Sequence, residues 1–221
     1  MSVVRPEFGP TLPELLGPRV RALPRGLRVV CALVCALPVL AAALAFMRHE
    51  GAIRAPLVVR EQPLAFNLLV ASPLQRVTPR AGESLRLESA PGAGAPQSFA
   101  VRPLRVRPYR GDVTAVVMGM SSRLIDRMRA TVPGFQWRGD GRVSYNRQPG
   151  YEIAFQARIG GHTTYGRRVL LMPIADVPPR DGLDLMILAR RSDAVPSVAS
   201  VGANGALKTA IRSIRFGTER P

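Results

Sequence analysis

The longest apolar pattern in the chain is an uncharged run at residues 29–47, VVCALVCALPVLAAALAFM, with Arg25, Arg28 and Arg48 around it. At about 1.5 Å of rise per residue, a helix over this run would be roughly 28 Å long, which matches the hydrocarbon core of a bilayer. The run therefore predicts one transmembrane helix at residues 29–47, in contact with membrane lipid.

The residues before this run form a short basic tail, 1–28, that contains several prolines and five arginines. Arginine-rich tails stay on the cytoplasmic side of a membrane, whereas long domains cross it largely regardless of charge. The pattern favours a cytoplasmic amino terminus and an extracytoplasmic main domain. A signal peptide cleaved after Ala43-Leu44-Ala45 is the alternative, and it would release a secreted domain.

Residues 48–96 are rich in chain breakers and predict a juxtamembrane extended segment and linker. Within it, the apolar pieces at 66–71 and 85–88 are each typical of a short strand. The sequence APGAGAP at 90–96 has no side chain able to anchor a core and predicts a loop. The main folded domain is therefore predicted to occupy residues 97–221.

The clearest helical pattern of this domain lies at residues 114–131, after a first strand predicted around 99–106. Apolar side chains recur there at spacings of three and four residues, with charged residues between them. Asp112 or Thr114 is a suitable amino-terminal cap, and Pro133 with Gly134 ends the pattern. An amphipathic helix is expected over this range.

Strand patterns follow the helix. Residues 151–157 alternate apolar and polar positions, and Gly160-Gly161 separates them from 162–172, which predicts a hairpin. A second tight turn is predicted at 138–142, around Gly-Asp-Gly. Residues 183–189 are apolar on both faces apart from Asp184, so we expect a central strand covered on both sides.

The closing segment, GALKTAIRSIRFG at 205–217, carries an apolar helical stripe. This order of helix, hairpin, central strand and closing helix resembles that of PsbP-like proteins over about residues 97–217. The resemblance implies an α+β fold, an antiparallel sheet sandwiched by helices. It also implies an envelope protein, since bacterial relatives of this fold are often attached to a membrane, and it implies no ligand residue.

Composition narrows the chemistry. Cys31 and Cys35 are the only cysteines and both lie inside the apolar run, which excludes a disulfide framework or a thiol enzyme in the domain. The two histidines, His49 and His162, are too few for a zinc site, and no nucleophile motif accompanies them. We therefore expect neither a metal nor a cofactor, and no catalytic activity.

Charge supplies the one candidate site. The formal net charge is +16, and Lys208 is the only lysine among 31 basic residues. Arginines cluster at 102–110 and in the pairs 167–168 and 190–191, and such a basic surface could contact a polyanion or a lipid head group. The candidate contacts are Arg102, Arg105, Arg107, Arg110, Arg167 and Arg168. Only Tyr109 interleaves with them, which disfavours nucleic acid as a partner because base stacking is poorly provided for.

Together these patterns predict a single-pass, membrane-anchored, extracytoplasmic binding or accessory module of the bacterial cell envelope. Its expected partners are an envelope protein or an anionic polymer. The alternatives are a cytoplasmic-facing basic regulator or nucleic-acid binder, and the secreted domain that signal cleavage would release.

Overall fold

A computed structural model of the chain describes residues Pro24, Gly26, Val34, 36–38, 56–60, 64–175 and 177–219. The predicted tail and transmembrane helix lie almost wholly outside these residues. In the part of the chain so described, no helix is long and apolar enough to cross a bilayer. The chain divides into units 1–50 and 51–221, and the second unit carries the fold discussed below.

This unit contains ten strands and two helices among its described residues. In chain order they are β1 (Leu57–Val59), β2 (Phe66–Leu68), β3 (Leu74–Val77), β4 (Leu85–Ser89), β5 (Gln97–Arg105), α1 (Val113–Thr131), β6 (Gln136–Tyr145), β7 (Gln148–Ile159), β8 (His162–Leu171), β9 (Asp181–Arg190), α2 (Gly205–Ser213) and β10 (Arg215–Phe216). A short 3-10 turn, Val198–Ser200, precedes α2.

The main sheet has seven strands, all antiparallel, in the order β3-β4-β5-β9-β8-β7-β6. A small sheet, β1-β2-β10, brings the start of the fold beside its end. Because β1 to β4 pair within these sheets, the folded unit begins well before residue 97, the predicted start of the domain. The segment predicted as a juxtamembrane linker thus belongs to the fold, and the two short strands predicted within it, at 66–71 and 85–88, are confirmed as β2 and β4.

One face of the main sheet is closed by α2 and by the small sheet. Alternate residues of β5 and β9, among them Phe99, Leu185 and Ile187, are fully buried here with Leu207 and Ile211 of α2. Their spacing of two along the strands is the period at which side chains return to one face. We call this the α2 face, and it forms the larger apolar core.

The opposite face carries α1, at the position predicted from the helical pattern. The Asp112 carboxylate caps the helix by accepting a hydrogen bond from the Thr114 amide at 2.8 Å. Val117 and Met128 are buried against the sheet, Met128 beside Phe155. The helix packs on β6 and β7, so it covers only one end of this face, which we call the α1 face.

The turn predicted at 138–142 is wrong. Residues 136–145 form one continuous strand with a bulge between Trp137 and Gly139, and the chain reverses at Asn146 and Arg147. Both reversal residues have positive φ, 49° and 67°. The bulge uses the glycine that the sequence pattern assigned to a turn. The hairpin at Gly160-Gly161 is confirmed, because β7 pairs with β8 across it.

Candidate functional site

A groove of about 470 Å³ lies where α1 ends its cover of the sheet. Its floor is apolar and buried, formed by Leu104 near the end of β5, Val106 just after that strand and Leu170 of β8. Met120 and Leu124 of α1, both half-buried, form one wall. The volume lies within the range of small-molecule sites.

Arginine side chains surround this apolar floor. The charged residues that line the groove are Arg105, Arg107, Arg123, Arg127, Arg168 and Asp184. Two of the five arginines have a carboxylate partner: Arg168 pairs with Asp184, and Arg105 lies 3.4 Å from Asp181. Arg107, Arg123 and Arg127 form no ion pair with any residue that the structure describes. The groove therefore has uncompensated positive charge.

The Arg168–Asp184 pair lies within the groove lining, on neighbouring strands. The Nε of Arg168 donates to Oδ1 of Asp184 at 2.8 Å, and its Nη2 donates to Oδ2, so the pair is bidentate. Only 7% of Asp184 is exposed. This carboxylate neutralises Arg168 and fixes its guanidinium through two hydrogen bonds.

The α1 wall of the groove follows the spacing of a helix face. Gly119, Arg123 and Arg127 are each four residues apart and therefore lie in one row along the helix. A Cβ added at Gly119 would meet nothing within 4 Å, so this glycine borders open space and not a neighbouring element. Along this row, the helix surface is open at Gly119 and carries the guanidinium groups of Arg123 and Arg127.

The six arginines predicted as contacts do not form one patch. Arg105, Arg107 and Arg168 line the groove. Arg102 lies 3.4 Å from Glu83, and Arg110 is exposed in the loop before α1. The sixth, Arg167, points to the α2 face, where it lies 3.5 Å from Glu152 and donates to the Ala199 carbonyl.

Sequence reasoning missed Arg123 and Arg127, because they are among the charged residues between the apolar positions of the helical pattern. The predicted central strand is confirmed, because β9 is the middle one of the seven strands, but its cover on the α1 face is only partial, since Met186 and Leu188 are half-buried there. The four-residue spacing of Gly119, Arg123 and Arg127 was the available signal. Periodicity alone does not show that a helix covers only part of a sheet.

The sheet beside the groove, toward β4, is neutral by comparison. Arg86 is buried and lies 3.1 Å from Glu83 and 2.6 Å from Glu88. Burial alone would raise the pKa of Glu83, but the Arg80 amide and the Arg86 guanidinium outweigh it and lower that pKa. The Glu83 carboxylate therefore stays ionised and paired, and this part of the sheet adds no unpaired positive charge to the groove.

The site has the chemistry of a binding site. Among the described residues, no group of three or more His, Cys, Asp or Glu side chains is placed to hold a metal ion. Guanidinium groups offer several donors in a planar arrangement that matches phosphate and carboxylate oxygens. Their combination with an apolar floor suits a ligand that has an anionic and an apolar part.

Comparisons with known proteins give structural neighbours only. No protein-family model and no curated protein matches the sequence. CyanoP, a PsbP protein from Synechocystis, is similar in structure at 10% identity and a TM-score of 0.48, over 74% of this chain and 93% of that one. LpqN from Mycobacterium tuberculosis, described as involved in cell envelope biogenesis, has 12% identity and a TM-score of 0.47, over 78% and 94%.

A third structure, protein PA94 of unknown function from Pseudomonas aeruginosa, has 13% identity and a TM-score of 0.38, over 64% of this chain and 87% of that one. The predicted resemblance to PsbP-like proteins is thus confirmed as a structural similarity at low identity. The described residues have an α+β fold with a seven-stranded antiparallel sheet and two helices.

Proposed function

We propose that this protein is a non-catalytic binding module of the bacterial cell envelope, anchored by residues 29–47 with its folded unit outside the cytoplasm. Its α1 groove would bind an anionic group of an envelope partner. The observation that carries this proposal is the set of three guanidinium groups, Arg107, Arg123 and Arg127, that line an apolar groove and pair with no carboxylate among the described residues. The apolar run supports the anchor.

The anchor would give the groove its role. A domain confined to a membrane surface meets partners there at a high effective concentration, so weak binding is sufficient. The surface potential of anionic lipids adds to the attraction of a basic groove. The protein would act by holding a partner at the membrane, without chemical change.

Topology is tested first, with a carboxyl-terminal tag and external protease on intact cells. We expect digestion of a full-length protein. Digestion of a protein about 5 kDa lighter, from loss of roughly 45 residues, would indicate secretion, and protection of the tag would place the unit in the cytoplasm.

Binding is tested with the full chain in phosphatidylcholine nanodiscs, using polyphosphate as a soluble anionic probe. Changing Arg107, Arg123 and Arg127 together to Gln should weaken binding at least tenfold. The matched control changes Arg142, Arg158 and Arg191 to Gln, because these exposed arginines lie outside the groove lining. Equal losses in the two triple variants would reduce the groove to part of a general basic surface.

A further inference from the structure

The glycine in the groove wall suggests what occupies the groove. Gly119 lies in the interior of a 19-residue helix, where glycine costs about 1 kcal/mol relative to alanine. Its φ is not in the left-handed region, and an added Cβ would contact nothing within 4 Å. Neither backbone conformation nor close packing within the described structure requires a glycine here, yet a larger side chain would narrow the groove.

The apolar surface of the groove, together with the charges beside it, favours an amphiphile over a polyanion as the ligand. A polyanion needs a basic surface, but it gains nothing from a recessed apolar floor. Leu104, Val106 and Leu170 are buried and close the groove from below. Val116, Met120 and Leu124 of α1 are half-buried and leave apolar surface in the groove, on which a hydrocarbon chain would be removed from water. The guanidinium groups of Arg123 and Arg127, which pair with no described carboxylate, lie along the same groove, within reach of the head of such a molecule.

We propose that the α1 groove binds one amphiphile with a phosphate-type anionic head and a hydrocarbon chain, as in an anionic lipid. The chain would lie on the floor beside Gly119, and the head would bind Arg107, Arg123 and Arg127. This inference rests on the proposed function, which it narrows from any anionic group to an anionic amphiphile. Arg168 stays paired with Asp184 and contributes no head-group contact.

The test uses three probes on the full chain in phosphatidylcholine nanodiscs, by isothermal titration calorimetry with empty nanodiscs subtracted. Octyl phosphate carries both parts, inorganic phosphate only the head, and octyl glucoside only the chain. Below its micellar concentration, octyl phosphate should saturate one site per chain and bind at least tenfold tighter than either partial probe. Hexyl phosphate should bind more weakly, by up to about 15-fold if two methylenes are fully buried.

Variants locate the binding. Gly119→Phe fills the groove from an exposed helix position and should weaken octyl phosphate binding at least tenfold. The matched control, Ser122→Phe, adds the same bulk to an exposed position of α1 that does not line the groove, and should leave affinity within twofold. Far-ultraviolet circular dichroism confirms that both variants fold. Arg123→Gln, whose side chain needs no partner in the fold, gives an independent check through reduced binding.

The outcomes separate the two proposals. If polyphosphate binds but octyl phosphate is no tighter than inorganic phosphate, or ignores Gly119→Phe, the amphiphile site is overturned and the proposed function stands. If neither polyphosphate nor octyl phosphate binds, both are overturned.

Discussion

The two faces of the seven-stranded sheet differ in how completely they are covered. On the α2 face, helix, small sheet and strands bury one continuous apolar cluster. On the α1 face, the helix covers β6 and β7, the apolar clusters are smaller, and arginines border the exposed part. The larger apolar core thus lies on one face of the sheet, and part of the other face is left available for binding.

The largest expected effect tests the α2 face as the source of stability. Phe99→Ala should lower the free energy of unfolding by about 3–5 kcal/mol, because it leaves a cavity in a fully buried cluster. Met120→Ala, its counterpart on the α1 face, should cost about 1 kcal/mol, since that side chain is half-buried. Urea unfolding of the full chain measures both, and similar losses would contradict the division between the faces.

The second prediction concerns the ion pair of the α1 face. Arg168→Met leaves the Asp184 carboxylate buried without its partner and should cost about 3 kcal/mol. The double change Arg168→Met with Asp184→Leu should recover most of that loss, because both desolvated charges are gone. If the double variant is as unstable as the single one, the loss comes from the missing contacts of the two side chains and not from an unpaired buried carboxylate.

The third prediction compares two glycines. At Gly150 an added Cβ would lie 2.6 Å from the Leu170 carbonyl oxygen, so Gly150→Ala should destabilise the protein by about 1–3 kcal/mol. Gly119→Ala meets nothing and should stabilise it by up to about 1 kcal/mol through helix propensity. Thermal unfolding gives the sign of each change. A loss of stability at Gly119 would mean that the groove wall is packed in solution.

These glycines also show how far the sequence could be interpreted. Gly160-Gly161 predicted its hairpin correctly, since flanking alternation and turn chemistry agree there. Gly139 misled, because a glycine in a strand bulge looks like a turn glycine, while the true reversal uses Arg147, a residue that rarely adopts positive φ. This local conflict is resolved by the register of the whole β6–β7 hairpin, which the glycines alone do not indicate.

The sequence predicted only those arginines of the candidate site that are clustered along the chain. Arg105 and Arg107 belong to a local run of arginines, which sequence inspection detects, and Arg168 was included with a second cluster. Arg123 and Arg127 reach the same groove only because α1 lies over β6 and β7 and leaves its flank beside β5. Helix placement on a sheet depends on long-range packing, which periodicity does not encode.

The smallest expected effect compares two tyrosine–carboxylate hydrogen bonds near β6, one on each face of the sheet. On the α2 face, the Tyr145 hydroxyl donates to Oε2 of Glu152 at 2.7 Å, and on the α1 face the Tyr151 hydroxyl donates to Asp140. Burial first, and then the Glu152 charge, raises the pKa of Tyr145, while the hydrogen bond to Asp140 first, and then burial, raises that of Tyr151.

A raised pKa means that the folded state favours the neutral phenol of Tyr145. Its stabilisation is complete below the ordinary value of 10.0 and is lost as the pH rises through the folded-state pKa. Tyr145→Phe should therefore cost about 1 kcal/mol near neutral pH and make stability fall less steeply above pH 10. Urea unfolding between pH 7 and about 11, with Tyr151→Phe measured alongside, checks this. If Tyr145→Phe leaves the fall of stability above pH 10 unchanged, the Tyr145–Glu152 pair does not contribute to it and the prediction is wrong for the α2 face. If both variants reduce that fall by a similar amount, the phenol–carboxylate pairs of the two faces contribute alike, although the faces differ in how completely they are covered.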